Sequence, residues 1–231
     1  MTAVLAAPPA TTRVALWRGG TDVAVAAVPV PDLAPGDVLV RVRLAAVCGS
    51  DRHTVSGRRP GASPSVLGHE AVGDVVAVGG AARTVLGDPV RPGDRVVWGV
   101  TVACGACDRC RSGRTAKCRE LRKVGHERFD GSWPLSGTYA EHVLLPGGAA
   151  IAVVHDGMAD AVAAPAGCAT ATVVAAAEAA GDLAGRRVLV VVAGMLGLAA
   201  TALAADAGAA PVVVTDVHPD RLRTARPFRA T

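Results

Sequence analysis

Cys104, Cys107 and Cys110 stand three residues apart, and Cys118 follows eight later. Gly105 and Gly113 leave the chain between them free to bend. Four thiolates drawn together on one loop suit Zn²⁺, which has no directional d-electron preference. A closed four-sulfur site leaves no coordination position for substrate, so such a zinc is structural. Two other chemistries use the same residues. Disulfides are disfavoured, because nothing marks the chain as secreted and two bridges in so short a loop would be strained. An iron–sulfur cluster also takes four thiolates. The spacing favours zinc.

Three further residues stand apart in the chain. Cys48 opens Cys48-Gly49-Ser50-Asp51-Arg52-His53, His69 lies in Gly68-His69-Glu70, and Cys168 lies in Gly167-Cys168-Ala169-Thr170. A catalytic zinc takes three protein ligands and keeps its fourth position open, and two cysteines with one histidine make such a set. Singly, each has a plainer reading. A cysteine beside alanine is usually a small buried hydrophobe, and a lone histidine is usually a surface or core residue.

A third motif is Val192-Ala193-Gly194-Met195-Leu196-Gly197. In a Gly-x-Gly-x-x-Gly loop the glycines permit a tight turn and close approach to a pyrophosphate at a helix N-terminus. The second and third glycines are present, and Val192 occupies the place of the first. A β-branched residue resists that turn, so either the loop is displaced or Val192 ends the strand before an altered turn. Asp216 follows Gly197 by 19 residues, at the end of the next expected strand. An acid there binds ribose hydroxyls and favours NAD over NADP. His218 and Arg221 lie close enough in sequence to soften that preference.

The elements that must position these residues change character along the chain. Val38, Val40, Val42 and Leu44 alternate with Leu39, Arg41 and Arg43, the period of a half-buried strand. Gly and Pro cluster at Pro35-Gly36, Pro60-Gly61, Pro92-Gly93 and Pro146-Gly147-Gly148. Short strands at such spacing predict an antiparallel barrel or sandwich up to about residue 150. Beyond residue 160 the sequence predicts a helix over Ala169–Ala180, a strand over Val188–Val192, a helix over Leu196–Ala207, a strand over Pro211–Thr215 and a third helix over Asp220–Thr231. Strand, helix, strand with short links is a βαβ unit. A dinucleotide-binding sheet needs two βαβαβ halves, and only part of the first is present.

Composition excludes several classes. Hydrophobic residues make up 51% of the chain and aromatic ones 3%, so the core must be built from small and β-branched side chains. The net charge of +4 comes from scattered arginines, which read as solvated surface and not as a nucleic-acid footprint. The opening Met-Thr-Ala-Val is soon interrupted by Pro8, Pro9 and Arg13, which argues against a signal peptide and for the cytoplasm. The 18 uncharged residues from Val188 to Ala205 reach the lower limit of a membrane span. Gly194 and Gly197 divide that run, and a Val/Leu half followed by an Ala-rich half reads better as a buried strand and a helix.

Taken together, Cys48-x-Ser50-Asp51-x-His53, Gly68-His69-Glu70, the four-cysteine loop and Cys168 occur in the order found in zinc-dependent medium-chain alcohol dehydrogenases. From about residue 36 onward the chain resembles that family. The resemblance implies an α/β (α+β) fold: a chaperonin-10-like β-rich catalytic domain over residues 1–169, a four-cysteine lobe at about 100–120, and the first part of a Rossmann parallel sheet over 170–231. It implies two zinc ions per chain. Cys104, Cys107, Cys110 and Cys118 would hold the structural one. Cys48, His69 and Cys168 would hold the catalytic one, with Glu70 as a transient ligand. The implied reaction is hydride transfer between a small alcohol, or its aldehyde or ketone, and a nicotinamide cofactor bound at Gly194, Met195, Leu196, Gly197 and Asp216.

Within that resemblance Ser50 would accept the alcohol proton, His53 would pass it toward solvent, and Asp51 would fix the tautomer of His69. The plainer readings are a turn hydroxyl for Ser50, an exposed imidazole for His53 and an Arg-paired carboxylate for Glu70. The stretches Val124-Gly125-His126-Glu127, Trp133-Pro134-Leu135-Ser136-Gly137-Thr138-Tyr139-Ala140-Glu141-His142 and Pro165–Thr172 are similar to a subgroup proposed to act in phosphonate catabolism. Full-length members are compatible with homo-oligomers, and no nucleic acid or membrane is implied. Relatives read on past the Arg226–Thr231 segment, so a truncated product with exposed sheet edges is expected. The competing reading is a non-catalytic zinc-binding remnant that binds a partner. The retained ligands argue against a zinc-free quinone reductase.

Overall fold

The computed structural model describes residues 8–231, and the Met1–Val4 opening lies outside them. The chain forms two compact units, one running to Gly167 and the other from Cys168 to Thr231.

The first unit is built from β1 (Thr11–Gly19), β2 (Asp22–Pro29), β3 (Val38–Ala46), α1 (Gly49–Val55), β4 (Ser65–Val66), β5 (Glu70–Val78), β6 (Arg95–Trp98), β7 (Thr101–Val102), α2 (Asp108–Arg111), β8 (Arg122–Lys123), β9 (His142–Leu145), β10 (Ile151–Val153) and α3 (Asp160–Ala163). Its main sheet runs β10-β6-β5-β3-β9, and a second runs β2-β1-β4. Every pairing in these two sheets is antiparallel, as the short strands and Gly/Pro turns predicted.

The alternation in β3 holds only in part. Val38, Leu39 and Val40 are all fully buried, and the polar face begins at Arg41. β3 lies between β5 and β9, and its register shifts between Leu39 and Val40 and again between Val42 and Leu44, which breaks the strict period of two. Arg41 and Arg43 then reach Asp74, and Arg43 also reaches Asp160. Beneath the sheet Val38, Val40, Val75, Val96, Trp98, Val143 and Leu145 form one cluster. A smaller cluster around Val14, Val66 and Leu135 lies under the second sheet. The core is mainly valine, as the composition required.

Residues 103–121 form the lobe. β7 and β8 pair at its base, α2 and a 3-10 turn at Thr115–Lys117 fill it, and Cys118 is its one buried residue.

The second unit comprises α4 (Ala169–Ala180), β11 (Val188–Val191), α5 (Met195–Asp206), β12 (Val212–Thr215) and α6 (Pro219–Ala225). β11 and β12 pair in parallel from Val188↔Val212 to Val191↔Thr215. Val190, Ala204, Ala209 and Val212 pack between strands and helix. The third helix is shorter than expected. It stops at Ala225, and a 3-10 turn follows at Arg226–Phe228, because Pro227 brings no backbone N–H to continue the ladder. The long uncharged run is divided into β11 and α5. Among the described residues, no single helix is long and apolar enough to cross a membrane.

Candidate metal centres

In the lobe, α2 starts just after Cys107, which places Cys107 and Cys110 on the same turn. Cys107 Sγ lies 3.5 Å from Cys110 Sγ and 4.0 Å from Cys118 Sγ, and Cys104 Sγ lies 4.0 Å from Cys110 Sγ. Four sulfurs at tetrahedral corners about 2.3 Å from a zinc would be about 3.8 Å apart. The observed spacing matches one shared ion. In a four-iron cluster each thiolate would sit on its own iron. No disulfide joins any of the six cysteines, so none competes.

Backbone N–H groups already favour thiolates in the lobe. Those of Arg119 and Cys110 hold the Cys107 thiol down to about 6. The N–H of Cys104 leads the contacts that lower Cys118, while burial and the neighbouring thiols push Cys110 up to about 12. Mutually repelling thiolates beside aimed amide dipoles form a set that a dication completes.

The second constellation is assembled around α1. The N–H of Cys48, at the helix N-cap, donates to Asp51 Oδ2 at 3.0 Å. Asp51 is buried, and its Oδ1 lies 3.3 Å from His69 Nδ1. Tyr139 Oη donates to Asp51 Oδ2 at 2.8 Å. The carboxylate thus orients Cys48 and His69 together. Burial pushes Asp51 up, but His69, the Tyr139 hydroxyl and the Cys48 N–H outweigh it and hold the carboxyl below its ordinary range. Burial, followed by the charge of Asp51, raises Tyr139, so its proton stays in that hydrogen bond. With Nδ1 turned to Asp51, the other ring nitrogen of His69 lies 3.5 Å from Ser50 Oγ.

Glu70, the first residue of β5, is buried beside His69 and makes no ion pair among the described residues, unlike its plainer reading. The donor atoms of Cys48, His69 and Glu70 lie within 4.8 Å of one another. Burial raises the Cys48 thiol, but hydrogen bonds from Ser50 and His69 prevail and lower it. Thiol, imidazole and carboxylate are the donor types that divalent zinc takes. His53 is exposed on α1, three residues on from Ser50.

Spacing gave no hint of three parts of this site. Tyr139 reaches it from 88 residues away, His126 packs its ring 5.1 Å from that of His69, and two glycines make the approach feasible. A Cβ on Gly125 would lie 2.1 Å from the Gly68 carbonyl oxygen, and one on Gly137 would lie 1.9 Å from that of Val66. The recurrence of Gly-His-Glu at 68–70 and 125–127 was the available signal.

Cys168 is the first residue of the second unit and the N-cap of α4, where its carbonyl accepts from Thr172 N and Thr172 Oγ1. The residue before it, Gly167, is pressed onto β6, where an added Cβ would meet the Trp98 carbonyl oxygen at 1.9 Å.

The dinucleotide loop keeps the glycine turn without its first glycine. Val192 adopts φ +77, its N–H donates to Thr215 O at 2.7 Å, and Ala193 N–H donates to Asp216 Oδ2 at 2.8 Å. Gly194 caps α5, which starts at Met195 and Leu196, and Gly197 has no room for a Cβ against the Val192 carbonyl oxygen. The Asp216 side chain is 1% exposed, and its Oδ1 accepts from His218 N at 2.8 Å. The loop is therefore not displaced. It holds a β-branched residue in a left-handed conformation that costs about 1–2 kcal/mol. Replacing Val192 with Gly removes that strain and adds about 0.5–1 kcal/mol of backbone entropy loss. The expected net effect is a stabilisation of up to about 1 kcal/mol, read as a raised thermal midpoint. A lowered midpoint would show that Val192 is unstrained.

Residues 34–156 match the family model for the alcohol dehydrogenase GroES-like domain. The L-threonine 3-dehydrogenase of Chelativorans sp. is 38% identical over 206 residues, covering 86% of this chain and 55% of the relative. That of Escherichia coli K12 is 37% identical over 211 residues, covering 88% of this chain and 57% of the relative. Among solved structures, an alcohol dehydrogenase from Thermotoga maritima superposes with a TM-score of 0.89 at 30% identity, over 95% of this chain and 62% of that one. A zinc-binding dehydrogenase from Sinorhizobium meliloti, bound to NADP, superposes at 0.83 with 30% identity, over 96% and 61%. The chain spans little more than half the length of the curated relatives it matches. On this fold and these matches, the chain belongs to the medium-chain alcohol dehydrogenase family.

Proposed function

We propose that this chain is the metal-binding part of an oxidoreductase that moves hydride between a small alcohol, or its carbonyl product, and a nicotinamide dinucleotide. One observation carries the reading: a buried thiol, imidazole and carboxylate converge at Cys48, His69 and Glu70, with Ser50 beside them. Cys168 completes the ligand set. Support comes from its family motif and from the seating of Gly167 on β6 immediately before it. Cys104, Cys107, Cys110 and Cys118 hold a second, structural ion.

When bound, zinc supplies a Lewis acid that acidifies an alcohol, and the nicotinamide supplies the hydride acceptor. The protein's own groups do the rest. Asp51, fixed by the Cys48 N–H and the Tyr139 hydroxyl, turns Nδ1 of His69 to itself and so leaves the far nitrogen as the one that would hold a metal. Ser50 Oγ takes the alcohol proton, and the exposed His53 on the same helix passes it to water. We place this chemistry in the cytoplasm, where six cysteines outside any disulfide stay reduced.

Gly194, Met195, Leu196 and Gly197 at the start of α5 would hold the dinucleotide, and the acid at the end of β12 would favour NAD. Both Asp216 oxygens already accept backbone N–H groups, so a ribose hydroxyl must compete with Ala193 and His218 for them. The resemblance over Trp133–His142 supports a phosphonate-derived alcohol. The curated relatives named L-threonine 3-dehydrogenase support a hydroxyl on an amino-acid side chain.

Metal analysis tests the ligand assignment. Cys48→Ala and His69→Ala are expected to drop bound zinc from two equivalents to one. Two equivalents persisting in either variant would sink it. Val192 favours the rival reading of a zinc protein without catalysis. Titration with NADH followed by fluorescence separates the two, and no binding at millimolar concentration rules out cofactor use by this polypeptide.

A further inference from the structure

α3 is a four-residue helix, and the 3-10 turn that follows it, Ala164–Gly167, is as short. Neither holds a shape of its own, because nucleation fixes several residues for one hydrogen bond. The N-cap of α3 is Ala159, which has no side-chain oxygen to cap with. The strap of residues 160–167 is therefore placed by what it is fastened to. Its middle packs through Ala163 and Ala164 against Val72 and Val154, and such apolar contacts have no direction. Its far end, Gly167, is pressed onto the Trp98 carbonyl, which limits its distance from β6 but leaves no side chain to hold it along the strand.

The near end is fastened by charge. Asp160 Oδ2 accepts from Arg43 Nε at 2.8 Å, and Asp160 Oδ1 accepts from Arg95 Nη1 at 2.8 Å. Arg43 is on β3 and Arg95 on β6, so one carboxylate is shared by the two strands that flank β5 in the main sheet. Arg43 also reaches Asp74 on β5. Arg95 Nη2 donates to the His155 carbonyl, and the Arg95 carbonyl accepts from Val154 N at 2.7 Å. The residue that grips Asp160 thus also pins the segment entering α3. An exposed ion pair contributes little. Here the Arg95 side chain is 15% exposed and that of Asp160 24%, and both carboxylate oxygens are spent on directed, charge-assisted bonds.

Cys168 follows Gly167 directly. A metal–ligand distance tolerates only about 0.2 Å of error, which a strap fastened at one end does not meet. We propose that Asp160 is a positioning residue for Cys168: clamped by Arg43 and Arg95, it fixes where the strap starts and so where the thiol at its end is presented to the metal. This rests on the reading of Cys168 as a ligand in the set of Cys48 and His69.

The test reads alkylation of Cys48 by iodoacetamide, followed by mass spectrometry on the full chain over a series of buffered free zinc concentrations. A metal-bound thiolate is protected, so the midpoint of Cys48 protection reports metal affinity at that site without cofactor or turnover. The lobe cysteines in the same samples report the other ion. Asp160→Ala is expected to raise the Cys48 midpoint at least about tenfold, the scale on which partners behind a metal ligand act, and to leave the lobe midpoint unchanged. Asp160→Asn keeps the shape without the charge and is expected to shift it less, in the same direction. Where Asp160→Ala does not fold, Asp160→Asn takes its place in every comparison. Arg41→Ala, which breaks an ion pair of Asp74 and not of Asp160, is expected to shift nothing. Cys168→Ala raises the midpoint by itself, and adding Asp160→Ala to it is expected to raise it no further, because no thiol remains to be placed. A shift of equal size in both backgrounds overturns the proposal, since a general loosening of the fold acts with or without the thiol. An unshifted midpoint in Asp160→Ala beside a shifted one in Cys168→Ala overturns it too, and leaves the ligand reading standing. An unshifted midpoint in Cys168→Ala removes that reading, and the role of Asp160 with it.

Discussion

Chelation of the metal from the four-cysteine lobe is expected to unfold residues 103–121 while the main sheet stays intact. The lobe has no apolar core. Its two helical segments span four and three residues, and Cys118 is its one buried side chain. A four-residue helix has no stability of its own, since nucleation fixes several residues for one hydrogen bond. A structural zinc contributes about 10–16 kcal/mol of apparent binding energy in small zinc-finger peptides, and that energy is folding energy. The lobe also carries Arg109, Arg111, Arg114, Lys117 and Arg119, all trypsin sites. With zinc bound, cleavage there should be slower by at least about a hundredfold than in the chelated protein, because cleavage follows the population of the open form. Cys107→Ser should reproduce the chelated pattern in the presence of excess zinc. Strands β3, β5 and β6 draw their stability from the valine cluster, and their amide-exchange protection should not change. A lobe that remains protected after its metal has been shown to be gone would mean that something other than the ion holds it.

The second large effect is expected from a single methyl group. Gly125→Ala places a Cβ 2.1 Å from the Gly68 carbonyl oxygen and 2.6 Å from its carbon, both backbone atoms. Neither can rotate away as a side chain would. Gly125 also sits at φ +70, which alanine adopts only with strain. The combined penalty is about 2–4 kcal/mol, a thermal midpoint lower by roughly 5–12 °C. A specific functional loss should accompany it. Gly68 precedes His69, so pushing the two backbones apart displaces the imidazole from Cys48 and Glu70. Bound zinc should fall from two equivalents to one, the survivor being in the lobe. Gly105→Ala is the matched control, because Gly105 has φ +72 but nothing within 4 Å of an added Cβ. It should cost only about 1 kcal/mol of backbone strain. A Gly125→Ala protein as stable as the control, or one still holding both ions, would show that the apposition of the two segments is not what positions His69.

The four-cysteine loop was legible from spacing alone, because its donors lie within 15 residues and a short flexible loop can bring them together whatever surrounds it. The second unit was nearly as legible. A run of alanines and a run of valines differ in their local preferences, and α4, β11, α5 and β12 fall within about a residue of their expected bounds. Its last helix was overestimated because Pro227 acts on the backbone, which hydrophobic pattern does not register.

What composition and spacing left open was decided by contacts between distant segments. Val192 had two readings, a displaced loop or an altered turn. The bonds from Val192 N–H to Thr215 O and from Ala193 N–H to Asp216 settle it by holding the glycine conformation with a valine in place. The same contact gives Asp216 a second task that its position at a strand end did not suggest. The metal site shows the same division. Cys48, His69 and Glu70 were nameable from their motifs, but the carboxylate that aligns Cys48 and His69 is itself held by Tyr139, 88 residues further on. The descent of His126 onto His69 depends on Gly125 lacking a Cβ where it meets the Gly68 carbonyl. Donor types and local turns are properties of short segments, so the sequence alone determined which atoms could bind metal. Hydrogen bonds and close approaches between segments far apart in the chain exist only once the sheets have formed, so the tertiary structure alone decided how those atoms are aimed.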